Sequence, residues 1–424
     1  MQTELDSVLA SQITEALRKG IPPQRGVAHY SVGNEKLIAG VKKFHLTGIQ
    51  DRGIIRFVNG SWGAGKTHFF RLLREIAFEN DCLVSFVELN ANDTALNRFE
   101  KIFYSIVRNI ATPGYYFGSA QMEAAPFGHV IQEAMGFISR GDHSGTIDIS
   151  HEDYTKAVEV LFVDGSIDID FKKMIQAYWD TYLSEGADSA MLEQARAEIL
   201  QWFSGEGSIG TYRKKYGVSK LVSKDNAKLM LQSLAGFVRL AGFRGLLILF
   251  DEAEQAYSIM RTSQLRDAHN NLLHLINRIE EIPGLFMIYA TTPDFFTDPR
   301  HGIVVYGALA GRIGKPEQKA PRALDTIWNF DAVSTQLEDY QAAAKKIANI
   351  YKVSFPEAAN KMPDDASIDK FVSELNATHP SLSAVQFWRV MVTALITHFD
   401  DYMDGEIRPT SKVYGDVMNR LRED

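Results

Sequence analysis

Two short stretches carry residues whose types and spacing suit phosphate chemistry. The first, Gly60-Ser61-Trp62-Gly63-Ala64-Gly65-Lys66-Thr67, satisfies the pattern G-x-x-x-x-G-K-[ST] at every fixed position. A polyphosphate in such a loop is wrapped by backbone N–H groups, and glycines at 60, 63 and 65 let the chain approach without a Cβ in the way. Lys66 is expected to reach the β- and γ-phosphates and Thr67 to supply a hydroxyl ligand to Mg²⁺, with the cradle running from Gly60 through His68. Glycine-rich turns also occur without ligand, but here strand, loop, Lys-Thr pair and helix follow in the required order.

The second stretch is Asp251-Glu252, which follows Leu246-Leu247-Ile248-Leu249-Phe250. An unbroken apolar run of that length reads as a parallel strand buried on both faces, delivering carboxylates at its C-terminal edge. Beside a phosphate loop, Asp251 would hold Mg²⁺ and Glu252 would take a proton from attacking water. The plainer reading is that these acids open a helix, and Glu254 is assigned to that role. Thr291 and Thr292 end a further apolar run, Leu285 to Ala290, where either hydroxyl could orient the lytic water; a turn ahead of Pro293 is the alternative. Arg312 is placed to serve a neighbouring subunit's nucleotide, with Arg300 second in line and a solvated surface arginine as the bland reading.

The cations Arg213, Lys214, Lys215, Lys220, Lys224 and Lys228 stand against a single anion, Asp225, in Thr211 to Lys228. With Tyr212 and Tyr216 interleaved, the stretch makes DNA contact possible, although charge runs are most often solvated faces. His269 and His274 lie about 140° apart round a helix and form no metal-binding pair, and no protein-only metal site emerges.

The elements that must position these groups follow from periodicity. Ile54 to Val58 reads as a strand into the phosphate loop, a helix begins near Lys66, and Leu83 to Leu89 forms the next strand, giving a β–α–β unit. Residues 4 to 19 are patterned as an amphipathic helix, and a second helix runs to about 45. Residues 95 to 240 look like a mainly helical insertion, for example Met191 to Phe203 and Ala227 to Leu240. A helix is expected over 269 to 282, a loop over 297 to 323, and helices near 333 to 351, 366 to 376 and 382 to 403. The predicted architecture is α/β, with a parallel sheet flanked by helices, a large helical insertion and a C-terminal helical domain. Its divisions are an N-terminal segment at 1–50, a nucleotide domain at 51–325 and a helical domain at 326–424.

The 424 residues, 45% of them hydrophobic, suffice for two or three domains, and the net charge of −8 argues against nonspecific coating of nucleic acid. A single cysteine, Cys82, excludes an internal disulfide framework and suits a reducing cytosol. Without a leader pattern or an apolar run long enough for a membrane helix, a soluble cytoplasmic protein is expected.

Taken together, the Val32-Gly33-x-Glu35 box, the GSWGAGKT loop, LLILFDEAE, YATTPDFF and YGALAGRI resemble AAA+-like P-loop ATPases of bacterial phage-defence clusters, in particular the BREX-system ATP-binding proteins. The resemblance covers roughly residues 10 to 325. It implies an AAA+ fold with a helical lid, ATP and Mg²⁺ as ligands, and work beside a helicase or other defence subunits; a homo-oligomer and no membrane contact are expected besides. By position it makes Lys66, Thr67, Asp251 and Glu252 the nucleotide site and Arg312 the finger. One departure stands out: lids of that kind start on an arginine, whereas Pro380-Ser381-Leu382-Ser383 has none and Arg389 comes two turns later. Two functions follow as expectations. One is an ATPase that remodels a partner or nucleic acid, and the other is a slowly hydrolysing, nucleotide-gated switch that recruits a partner.

Overall fold

The computed structural model describes residues 4–90, 96–118, 127–143, 150–184, 188–252, 260–333, 335–380 and 386–423. Its centre is a six-stranded sheet: β1 (Ile54–Asn59), β2 (Cys82–Glu88), β3 (Ile110–Ala111), β4 (Gly245–Asp251), β5 (Leu285–Thr291) and β6 (Ile327–Asn329), in the order β3-β2-β4-β5-β1-β6. All pairings are parallel except β2 with β3. β4 and β5 are buried along their whole length, which is why their sequences are unbroken apolar runs and do not alternate. Alternate residues still serve opposite faces. Leu247 and Leu249 pack with the helix after β1, while Leu246, Ile248 and Phe250 pack beneath the insertion.

Parallel pairing brings the C-terminal ends of β1, β4 and β5 to one edge. The register Asn59↔Thr291 and Phe250↔Tyr289 sets β5 between the phosphate-loop strand and the carboxylate strand, paired to both. Ligands of open parallel sheets bind at this edge.

The first helix, α1 (Ser7–Arg18), packs away from the sheet; on one face of the sheet lie α2 (Glu35–Val41) and α3 (Lys66–Phe78), which buries Phe69, Phe70 and Leu73 against Val58, Phe286 and Trp328. The other face carries most of the insertion: α4 (Phe99–Arg108), α6 (Phe127–Arg140), α7 (His151–Val163), α8 (Ile169–Asp180), α9 (Ser189–Phe203), α10 (Ile209–Tyr216) and α11 (Ala227–Leu240), whereas the short α5 (Pro113–Gly118) packs Tyr116 against Phe78 of α3, ring centres 4.6 Å apart. Trp179, Trp202 and Phe171 there belong to one core with Phe250 and Tyr289, so the insertion is continuous with the sheet domain. Its two-residue strand β3 was not expected, since two residues show no periodicity. After β4 come α12 (Thr262–Arg278), α13 (Pro293–Thr297) and α14 (Gly307–Ile313), the last inside the expected loop.

The C-terminal helices α15 (Leu337–Ser354), α16 (Asp365–Thr378), α17 (Phe387–Asp404) and α18 (Thr410–Glu423) form a second core. The segment expected over 1–50 is divided in space. Leu9, Ile13 and Leu17 of α1 pack among Ile347, Tyr351 and Phe399, whereas Leu37 and Val41 of α2 join the sheet face. An ion pair, Arg18 to Asp400 at 2.6 Å, seals α1 to α17. Likewise the sheet runs past the boundary expected at 325, because β6 pairs with β1 through Val58↔Trp328.

Candidate functional site

The loop between β1 and α3 has Gly63 at φ +79° and Gly65 at φ +86°, a left-handed backbone that favours glycine. A Cβ on Gly63 would also lie 2.6 Å from Cγ of Gln386, so the helical unit packs directly on the loop. Lys66 is buried, and its ammonium donates to the carbonyls of Gly60 at 2.5 Å and Ser61 at 3.2 Å. These two carbonyls hold the charge at the loop.

Thr67 opens α3, and its Oγ1 donates to Oδ2 of Asp251 at 2.8 Å. The other oxygen of that carboxylate accepts the N–H of Glu252 at 3.0 Å. Two segments 184 positions apart in the chain therefore meet in one hydrogen bond. Glu252 has φ 57°, the left-handed region, which costs a residue with a Cβ and which proteins tend to retain at functional sites.

Around these groups lies a cavity of about 600 Å³. Trp62 to His68, Asp251 and Glu252 form its polar end; Leu17, Ile21, Pro22, Trp388 and Val392 contribute apolar walls, with Arg389 among them. A site with convergent charges at one end and apolar surface at the other suits a ligand that is anionic at one end and aromatic at the other. The hydroxyl and carboxylate oxygens of Thr67 and Asp251 are the donor type that Mg²⁺ accepts. His68 bridges two residues of the N-terminal segment, with Tyr30 Oη at 3.3 Å from Nδ1 and Ser31 Oγ at 2.8 Å from Nε2. Burial, aided by the charge of Arg71, pushes its pKa down to about 4, so the ring is neutral near pH 7. Glu75, on the same helix, accepts the N–H groups of Gly26, Val27 and Ala28 at 2.6, 3.1 and 3.0 Å and ties that segment to α3.

Other expected residues lie elsewhere. The hydroxyl of Thr291 is fully buried and donates to the carbonyl of Val58 at 3.2 Å, a contact within the sheet. Thr292 occupies the N-cap position of α13 ahead of Pro293 and does not line the cavity. Arg312 is exposed on α14, and Arg300 is exposed in the turn before it; neither lines the cavity of its own chain. In the basic stretch, Tyr212 is core and not a stacking platform: it is 1% exposed and its hydroxyl donates to the carbonyl of Glu198 at 3.0 Å. Lys215 pairs with Glu198 at 2.6 Å and Lys220 with Asp168 at 3.1 Å, leaving Lys214 and Lys224 exposed. Glu254 and Ser381 to Ser383 lie outside the described residues.

Sequence reasoning passed over Asp331, Gln386 and Arg389, all of which line the cavity. Arg389 was set aside as two turns into a helix starting at 382. Because α17 starts at Phe387, that arginine falls in its first turn. No motif at fixed spacing marks Asp331 or Gln386.

A parallel sheet with a phosphate loop after β1, and the acid of β4 bonded to the loop's threonine, define a P-loop nucleotide-binding protein. The chain belongs to the family described as BREX system ATP-binding protein BrxC/D, whose model matches residues 7–413 and thus includes both terminal helical segments with the sheet. That description makes ATP the ligand and the BREX phage-defence system the setting. Comparison with curated proteins found no match. Among the described residues, no helix is long and apolar enough to cross a membrane.

Proposed function

We propose that this chain is a Mg²⁺-dependent ATPase that acts as a homo-oligomer and couples ATP binding and hydrolysis to rearrangement of a partner protein or nucleic acid in BREX defence. The observation that carries the reading is the 2.8 Å hydrogen bond between Thr67 and Asp251, which brings two oxygen donors suited to one hard cation beside the phosphate loop. Thr67 and Asp251 would hold Mg²⁺, which would supply positive charge against the phosphates. Lys66 neutralises the transferring phosphoryl group, and Glu252 accepts the proton of the attacking water. Arg389 is the cavity's cation on the helical side. Arg312, exposed on α14, serves the site of a neighbouring copy. Partners include other BREX components such as a helicase, with Lys214 and Lys224 available to DNA; the setting is the cytoplasm.

In this reading Glu252→Gln retains ATP binding while phosphate release falls about 10²- to 10⁴-fold. Turnover at the native rate removes Glu252 from the mechanism. An Arg312→Ala chain that is fully active, and monomeric by light scattering with ATP, refutes the shared site.

A second reading is supported by the cavity walls, which come from both the sheet domain and the helical unit. ATP bridging them would gate recruitment of a partner, with slow hydrolysis as the reset. Phosphate release measured with and without DNA separates the two: strong stimulation favours the remodelling enzyme, and binding without turnover favours the switch.

A further inference from the structure

Asp331 follows β6 in a single 3₁₀ turn, Phe330–Ala332, on the segment that leads into α15. Its carboxylate takes both polar hydrogens of Ser61, the first variable residue of the phosphate loop. The N–H lies 2.9 Å from Oδ1 and 3.1 Å from Oδ2, and the hydroxyl lies 2.9 Å from Oδ2. Ser61 in turn uses its carbonyl twice, accepting from the N–H of Ala64 at 3.2 Å and from the ammonium of Lys66 at 3.2 Å. The residue that closes the loop's turn and helps seat its lysine is therefore itself seated by Asp331.

The support for that carboxylate is firm. Phe330 packs edge-on against Phe69 of α3 with ring centres 5.0 Å apart, and Trp328 meets the same ring at 5.9 Å. Downstream, Val333, Thr335, Asp339 and Tyr340 line the cavity on the way into α15. The ring of Tyr340 packs at a tilt against Trp388 of α17, ring centres 4.5 Å apart, so Tyr340 is continuous with the helical unit.

We propose that Asp331 is a positioning residue of the nucleotide site. By holding Ser61 it fixes the turn over residues 61–64 and the ammonium of Lys66 in the shape that receives ATP, and it passes occupancy of the loop to the helical unit by way of Val333, Thr335, Asp339 and Tyr340. The proposal rests on the reading of this cavity as the ATP site. Asp331 is exposed, and contacts of an exposed carboxylate contribute little to global stability, so a role in folding alone predicts no change in binding.

The test is titration of the full chain with a fluorescent ATP analogue and Mg²⁺. Asp331→Ala should raise the Kd about tenfold, the effect expected if the freed loop holds the receiving shape only about a tenth of the time. Asp331→Asn keeps an acceptor for the Ser61 N–H and should stay within about twofold of native. Melting temperatures of the three chains should agree. At saturating nucleotide, hydrogen exchange in residues 337–340 should slow in the native chain and not in Asp331→Ala. An Ala variant that binds as tightly as native overturns the role, as does an Asn variant as weak as Ala. Equal protection of 337–340 in native and Ala chains overturns the transmission. A native chain that does not bind ATP overturns the reading of the cavity itself, a different failure from one confined to the variants.

Discussion

Replacing Thr67 by valine removes one hydroxyl and keeps the branched shape, so the helix start is preserved. That hydroxyl now satisfies Oδ2 of Asp251 at 2.8 Å, and the aspartate is 5% exposed. A hydrogen bond to a charged group contributes about 1.5–3 kcal/mol, and the lower end applies here because Thr67 is itself only half-buried and water can follow. Urea denaturation without nucleotide should therefore register a loss of about 1.5 kcal/mol. The larger effect concerns the metal. If Thr67 and Asp251 serve the same cation, Thr67→Val should lower Mg²⁺-dependent ATP affinity about 10- to 100-fold, while affinity in EDTA stays near native. Thr67→Ser restores the hydroxyl and should restore the Mg²⁺ dependence. Titration with a fluorescent ATP analogue, with Mg²⁺ and then with EDTA, reads both. A valine variant whose affinity still responds to Mg²⁺ as the native chain does would show that the two residues do not share an ion.

Glu75→Ala leaves the N–H groups of Gly26, Val27 and Ala28 without their acceptor, so it should destabilise the chain by about 3 kcal/mol in urea; an unchanged midpoint contradicts the anchoring role. Acid should destabilise the fold in a defined window. His45, His68, His269 and His398 are held down near 4, chiefly by burial, so the unfolded chain takes up protons below about 6.5 that the folded chain refuses until about 4. Glu133, raised to about 7 by burial, acts in the opposite sense by keeping a proton in the folded chain. The four histidines outweigh the one glutamate by about three protons, so stability approaches its maximum above about pH 7.5 and falls by about 4 kcal/mol per pH unit between about 6 and 5. A urea midpoint that stays flat across that window refutes the assignment.

Much of the site was legible because its chemistry is local. The phosphate loop spans eight consecutive residues, and β4 advertises burial by apolar composition alone, so Lys66, Thr67, Asp251 and Glu252 stood out without knowledge of what surrounds them. Helices such as α9 and α11 were equally visible, since their faces repeat with the helical period. Thr291 misled because a polar side chain at a strand end reads the same whether it faces a ligand or, as here, donates to Val58 on the adjacent strand. Tyr212 misled for a similar reason: the charges around it marked a surface, but its ring turns inward under Glu198. Arg389 was misplaced by a helix start set five residues too early.

What the chain's order of residues determines on its own is which short segments can wrap a phosphate, which must be strands, and which helices need an apolar partner. It does not say which partner. Only the folded molecule brings α1 onto the C-terminal helices, slips β5 between β1 and β4, and sets Asp331 and Gln386 against the phosphate loop. Those contacts join positions tens to hundreds of residues apart. Their specificity comes from the shape of the packed cores and the register of the sheet, which a one-dimensional pattern does not carry.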